Sequence, residues 1–87
     1  MKINHSIILT VHNKGWLIDK VIESIYNNTE GSYELIIILD GCTDNSEEVV
    51  LNTINKDTKV LYAANVFETT ANNIGLRRAV GDKVIIC

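Results

Sequence analysis

Two short stretches of this chain, Ser6 to Val11 (SIILTV) and Tyr33 to Leu39 (YELIIIL), run apolar on both faces and are rich in β-branched residues. A strand with one wet face alternates apolar and polar residues. An unbroken run suits a central parallel strand covered by helices on both sides. Parallel neighbours need a crossover between them, and the intervening segment supplies one. Ile18, Val21, Ile22 and Ile25 fall at i, i+3, i+4 and i+7, a single helical stripe, with Asp19, Lys20 and Glu23 on the wet side. Gly31 and Ser32 break that helix before the second run begins.

The alternation continues. Asp40 to Asn45 reads as a loop, and Asp44 with Glu47, or Ser46 alone, can cap a helix running to about Ile54 through Val49 and Val50. Lys59 to Tyr62 is a short third strand. Thr69 or Thr70 opens a third helix that stops at Gly81, and Lys83 to Cys87 is a fourth apolar run. The order βαβαβαβ predicts an α/β fold with right-handed crossovers and a parallel sheet. At 87 residues the chain is at most one small domain. Its fourth strand ends at Cys87 with nothing after it to turn or cover it, so residues 1–87 are expected to be the first part of a larger unit.

Charge and composition exclude several classes. The net charge is -3 and no basic run exceeds Arg77-Arg78, which argues against an electrostatic nucleic-acid surface. The longest apolar run, Leu35 to Leu39, is far short of the roughly 20 residues of a membrane span. Met1 to Val11 lacks the length and cleavage site of a secretory signal, and the glycosylation patterns at Asn4 and Asn27 read as chance matches. A cytoplasmic protein, or one at the cytoplasmic face of a membrane, is expected. Cys42 and Cys87 form no CxxC pair and have no histidine at metal-ligand spacing, so both read as reduced thiols.

Ligands of open α/β sheets bind outside the carboxyl ends of the strands. Thr10-Val11-His12-Asn13-Lys14 sits at such an end, but with Gly15 as its one glycine it carries neither GxGxxG nor GxxxxGK[ST]. His12 can stack on a planar base or hydrogen-bond a ligand, though standing alone it would read as an exposed loop histidine. Asp40 follows the second apolar run, where an unpaired charge is costly to desolvate. It caps nothing obvious, and a carboxylate fixed there can accept a hydrogen bond from a base edge, an interaction of about 1.5–3 kcal/mol. Asp44 reads instead as a helix cap. Gly75 inside a helix costs about 1 kcal/mol against alanine, which points to close approach by another backbone or a ligand. Asn73 can reach a neighbouring loop or a phosphate, and Arg77 and Arg78 read as a solvated helix end.

Taken together, SIILTVHNKGWLIDKVIESIYNNT, YELIIILDGCTDNS and ANNIGLRRAVGDKVIIC resemble the start of the family-2 glycosyltransferases, which have the GT-A fold. The family's pattern falls on Thr10, His12, Asn13, Ser24, Asp40-Gly41-Cys42-Thr43-Asp44, Asn73, Gly75, Ala79, Gly81 and Asp82. Leu39 stands in place of the first aspartate of the usual pair, Cys42 where serine is common, Asn72 where arginine often precedes the asparagine, and Lys14 at a place often acidic. The resemblance implies a Rossmann-like sheet of order 3-2-1-4 and an inverting transfer from a nucleotide sugar, most often a UDP-sugar, to an acceptor hydroxyl. It implies that Thr10, His12 and Asp40 hold the base and ribose side of the nucleotide, with Asn13 and Asn73 in the same substrate-binding set. It also implies a Mg²⁺ or Mn²⁺ ion on an Asp-x-Asp, and a carboxylate base, both expected beyond Cys87. Two alternatives stand beside it: a nucleotidyltransferase-like domain, which lacks its glycine-rich basic loop here, and a non-catalytic α/β interaction module.

Overall fold

The computed structural model describes residues 4–65, 67–81 and 83–86, with backbone alone at 67–69 and 83. Four strands and three helices alternate: β1 (His5–Val11), α1 (Ile18–Asn28), β2 (Tyr33–Asp40), α2 (Ser46–Thr53), β3 (Lys59–Ala63), α3 (Phe67–Arg78) and β4 (Lys83–Ile86). All strand pairs are parallel and the spatial order is β3-β2-β1-β4, the expected 3-2-1-4 sheet. Register runs from His5 opposite Tyr33 to Val11 opposite Leu39, so the two apolar runs lie side by side along their length.

Side-chain alternation on these strands divides the core in two. Ile7, Leu9 and Val11 of β1 join Leu35, Ile37 and Leu39 of β2 on one face, under Ile18 and Ile22 of α1 and Val50 of α2. Ile8, Ile36 and Ile38 take the opposite face, under Ala71 of α3. An unbroken apolar run is thus what a strand covered on both sides requires. Gly75 brings α3 close: a Cβ there would stand 2.7 Å from Ile8 Cγ2 and 3.0 Å from Ile38 Cδ1.

Several boundaries differ from expectation, α3 ending at Arg78 and not at Gly81 among them, and three bear on the site. β2 extends through Asp40, whose backbone pairs with Ala63, so the aspartate is the last strand residue and not the first of a loop. The threonines do not open α3; Asn65, at φ 59°, makes the turn out of β3 and the helix begins at 67. The N-cap of α2 is Asn45, without a side-chain capping bond, and Ser46 is the first helical residue, its Oγ accepting the Lys14 N–H at 2.8 Å. Asp44 accepts the Ser46 N–H at 2.9 Å from just outside the helix. The expectations for Asp82 and Cys87 lie outside the described residues.

At the amino ends of the strands sits a charge that the apolar pattern concealed. Glu34, 5% exposed, accepts hydrogen bonds from Ser6 Oγ at 2.5 Å, Lys59 Nζ at 2.8 Å and the Val80 N–H at 2.6 Å. Ser6 Oγ in turn accepts the Gly81 N–H at 2.7 Å, so one carboxylate joins β1, β2, β3 and the turn into β4. Burial alone would push the Glu34 carboxyl up, but the Lys59, Ser6 and Val80 donors outweigh it and hold it below the usual carboxylate range. Among the described residues no helix is long and apolar enough to cross a membrane.

Candidate functional site

The carboxyl ends of β1 and β2 bring together Thr10, His12 and Asp40. Thr10 pairs with Ile38, and Asp40 stands two residues further along β2, so both belong to the α3 side of the sheet. Asp40 is 3% exposed. Among the described residues no buried side-chain nitrogen or oxygen lacks a hydrogen-bond partner, and Asp40 is engaged within the protein. Its desolvation is therefore compensated, and a carboxylate with two oxygens can still accept a further donor. Gly41 follows at φ 61° and donates its N–H to the Ala63 carbonyl at 2.9 Å; a Cβ there would meet Asn65 Cβ at 2.7 Å. The chain thus turns sharply away immediately after Asp40.

His12 Nδ1 lies 2.6 Å from the Asp40 carbonyl oxygen. A carbonyl only accepts, so Nδ1–H is the donor, and His12 as a whole is exposed. Thr10 donates its hydroxyl to Asn72 Oδ1 at 2.6 Å, which brings α3 onto the same shelf. With that oxygen occupied, the donor end of the Asn72 amide remains for other partners.

The two asparagines of α3 separate by helical phase. Ala71 and Gly75 are buried against the sheet at i and i+4; Asn72 beside them is half-buried, while Asn73 is rotated about 200° from Ala71 and exposed. The shelf therefore receives Asn72, which the sequence reading treated only as a departure from a pattern. The signal was present in the sequence, since Ala71 and Gly75 mark the inward stripe.

Asn13 adopts φ 52° and faces the β2–α2 loop. Its Oδ1 accepts the N–H groups of Thr43 at 2.8 Å and Asp44 at 3.2 Å. Asp44 returns the contact, accepting the Gly15 N–H at 3.1 Å on the carboxylate oxygen that Ser46 leaves free. The Ser46 donors, with Gly15, hold its carboxyl below the usual range. Cys42 Sγ lies 3.3 Å from the Val11 carbonyl. Among the described residues no group of three or more His, Cys, Asp or Glu side chains could hold a metal ion. The residues around Asp40 offer hydrogen-bond acceptors and donors.

The sequence profile described as glycosyl transferase family 2 matches residues 6–87. An uncharacterised glycosyltransferase of Haemophilus influenzae is 39% identical over 82 residues, covering 91% of this chain and 33% of that protein. One from Rickettsia felis is 34% identical over 79 residues, covering 87% of this chain and 13% of its own length. The Bacillus subtilis protein EpsJ, also an uncharacterised glycosyltransferase, is 31% identical over 78 residues, covering 87% and 23% respectively. The chain spans a third or less of the length of these curated relatives.

Proposed function

The chain belongs to glycosyl transferase family 2, and from that premise we propose that it is the nucleotide-binding part of an enzyme that transfers a sugar from a nucleotide-sugar donor to an acceptor hydroxyl. The donor in this reading is a UDP-sugar, the transfer proceeds with inversion, and the place of action is the cytoplasm or the cytoplasmic face of a membrane. The observation that carries the proposal is Asp40: a carboxylate 3% exposed, at the carboxyl end of a parallel strand, flanked by Thr10 and His12. A ligand bound there meets an acceptor whose position is set by the sheet.

Each residue has a role in binding and orientation. The Asp40 carboxylate accepts an N–H from the base edge. Thr10 and the free amide donors of Asn72 hydrogen-bond the base or ribose, and the His12 ring covers the base or accepts a hydroxyl proton through Nε2. Among the described residues no group of three or more His, Cys, Asp or Glu side chains could hold the divalent ion that the family resemblance implies. The role of this chain is to hold the nucleotide so that the diphosphate and sugar lie beyond the strand ends. On this reading the 87 residues alone transfer no sugar; metal-dependent transfer by the isolated polypeptide would contradict it.

The test is to incubate the full-length enzyme that contains these 87 residues with a panel of nucleoside diphosphate sugars, UDP-sugars among them, and a set of hydroxyl acceptors, and to read the product's anomeric configuration by NMR. Transfer with inversion is expected. Retention would overturn the single displacement, and failure to consume any nucleoside diphosphate sugar would overturn the transferase reading for this protein.

A further inference from the structure

Four backbone N–H groups in two neighbouring loops are satisfied across the gap between those loops. From the β1–α1 loop, the Lys14 N–H donates to Ser46 Oγ at 2.8 Å and the Gly15 N–H to Asp44 Oδ2 at 3.1 Å. From the β2–α2 loop, the N–H groups of Thr43 and Asp44 donate to Asn13 Oδ1 at 2.8 and 3.2 Å. Loop donors need partners, and here each loop supplies the other's. We infer that Asn13 and Asp44 form a reciprocal lock between the two loops and serve the nucleotide face as positioning residues, not as ligand contacts.

Three further features fit this role. Asn13 sits at φ 52°, a left-handed conformation that asparagine tolerates better than most side chains and that turns its amide toward Thr43. Its carbonyl oxygen is committed to two amides, and its Nδ2 donates to Thr43 Oγ1 at 3.3 Å. The loops are also in close contact, because a Cβ on Gly15 would fall 1.9 Å from Asn45 Oδ1. The lock sits where the two strands end. His12 directly precedes Asn13, and Asp40 lies four residues before Asp44, so the segments that carry the 2.6 Å His12–Asp40 contact are both anchored by it. The inference rests on the nucleotide reading only for its effect on binding; the lock itself is a property of the unliganded protein.

The experiment has two arms. In the intact protein without ligand, Asn13→Gly removes the side chain while leaving the positive φ free of strain. If the lock is reciprocal, the Lys14 and Gly15 amides, which bond Ser46 and Asp44 and not Asn13, exchange about fivefold faster with solvent, while Ile36 and Ile37 in β2 do not change. Unchanged exchange at Lys14 and Gly15 would overturn the lock. In the second arm, calorimetry with UDP compares wild type, Asn13→Gly, Asp44→Ala and the double variant. Positioning through one lock predicts that both single variants weaken binding, Asn13→Gly by about fivefold, and that the double variant is no weaker than the weaker single. Additive losses, or single variants that bind as wild type, would overturn the positioning role. If wild type itself does not bind UDP, the functional proposal fails and the exchange arm alone decides the lock.

Discussion

Removing the Glu34 carboxylate should unpin the amino ends of all the strands at once. Glu34→Ala deletes the acceptor of three hydrogen bonds, from Ser6, Lys59 and Val80, and the three losses are unequal. Lys59 is 49% exposed, so its ammonium returns to water and its part of the loss stays below about 1 kcal/mol. Ser6 is fully buried and the Val80 N–H points at the same carboxylate oxygen; each donor left without an acceptor costs about 1–3 kcal/mol. The expected destabilisation is about 2–7 kcal/mol, a large share of the roughly 5–15 kcal/mol that holds a domain folded. Glu34→Gln keeps one acceptor oxygen for Ser6 and Val80 but loses the charge and turns an amide NH2 toward Lys59, so about 1–2 kcal/mol is expected. The assay is urea unfolding at neutral pH, with amide exchange at Val80 and Gly81 as the local readout. Because the folded carboxyl is held below its usual range, its contribution is full above the ordinary carboxylate pKa and is lost as pH falls through the folded value. The gap between wild type and Glu34→Gln is therefore flat above about pH 5 and closes below about pH 4. A Glu34→Ala protein within about 0.5 kcal/mol of wild type, or a gap that widens on acidification, would refute the reasoning.

Three substitutions test how the shelf around Asp40 is built. Gly41→Ala forces a side chain into φ 61° and against Asn65, and is expected to cost about 1–3 kcal/mol in thermal or urea unfolding. Asn72→Ala should weaken UDP binding more than Asn73→Ala does, because the helix turns Asn72 toward Thr10 and Asn73 toward solvent; calorimetry on the two variants ranks them.

The fold was legible where a single physical pattern carried it. The runs at Ser6 to Val11 and Tyr33 to Leu39 suited central strands and form them, and the Ile18-Val21-Ile22-Ile25 stripe gave the crossover between them. The strand order needed the family resemblance as well as the crossover rule. What stayed hidden depends on pairings distant in sequence. Glu34 was one charge inside an apolar run, and the partners that keep it buried lie 28 residues before it and 46 residues after it. The contacts of Asn13 with Thr43 and Asp44 likewise span about thirty residues, so nothing local showed that its side chain turns to a neighbouring loop. The place of Asp44 before α2 suggests a cap, but Asn45 takes the N-cap position; Asp44 accepts the Ser46 N–H from just outside the helix and the Gly15 N–H across the gap. The choice between Asn72 and Asn73, by contrast, was available from helical phase alone.

The central claim is that Asp40 recognises the nucleotide, and binding of UDP to the intact protein tests it most directly. Isothermal calorimetry on wild type and Asp40→Ala, each first shown to be folded by circular dichroism, isolates the carboxylate; Asp40→Asn, which keeps the side-chain volume, separates lost charge from lost shape. The account predicts that wild type binds UDP and that Asp40→Ala loses about 1.5–3 kcal/mol of that affinity, roughly ten- to 150-fold. A folded Asp40→Ala protein that binds UDP as tightly as wild type would contradict it.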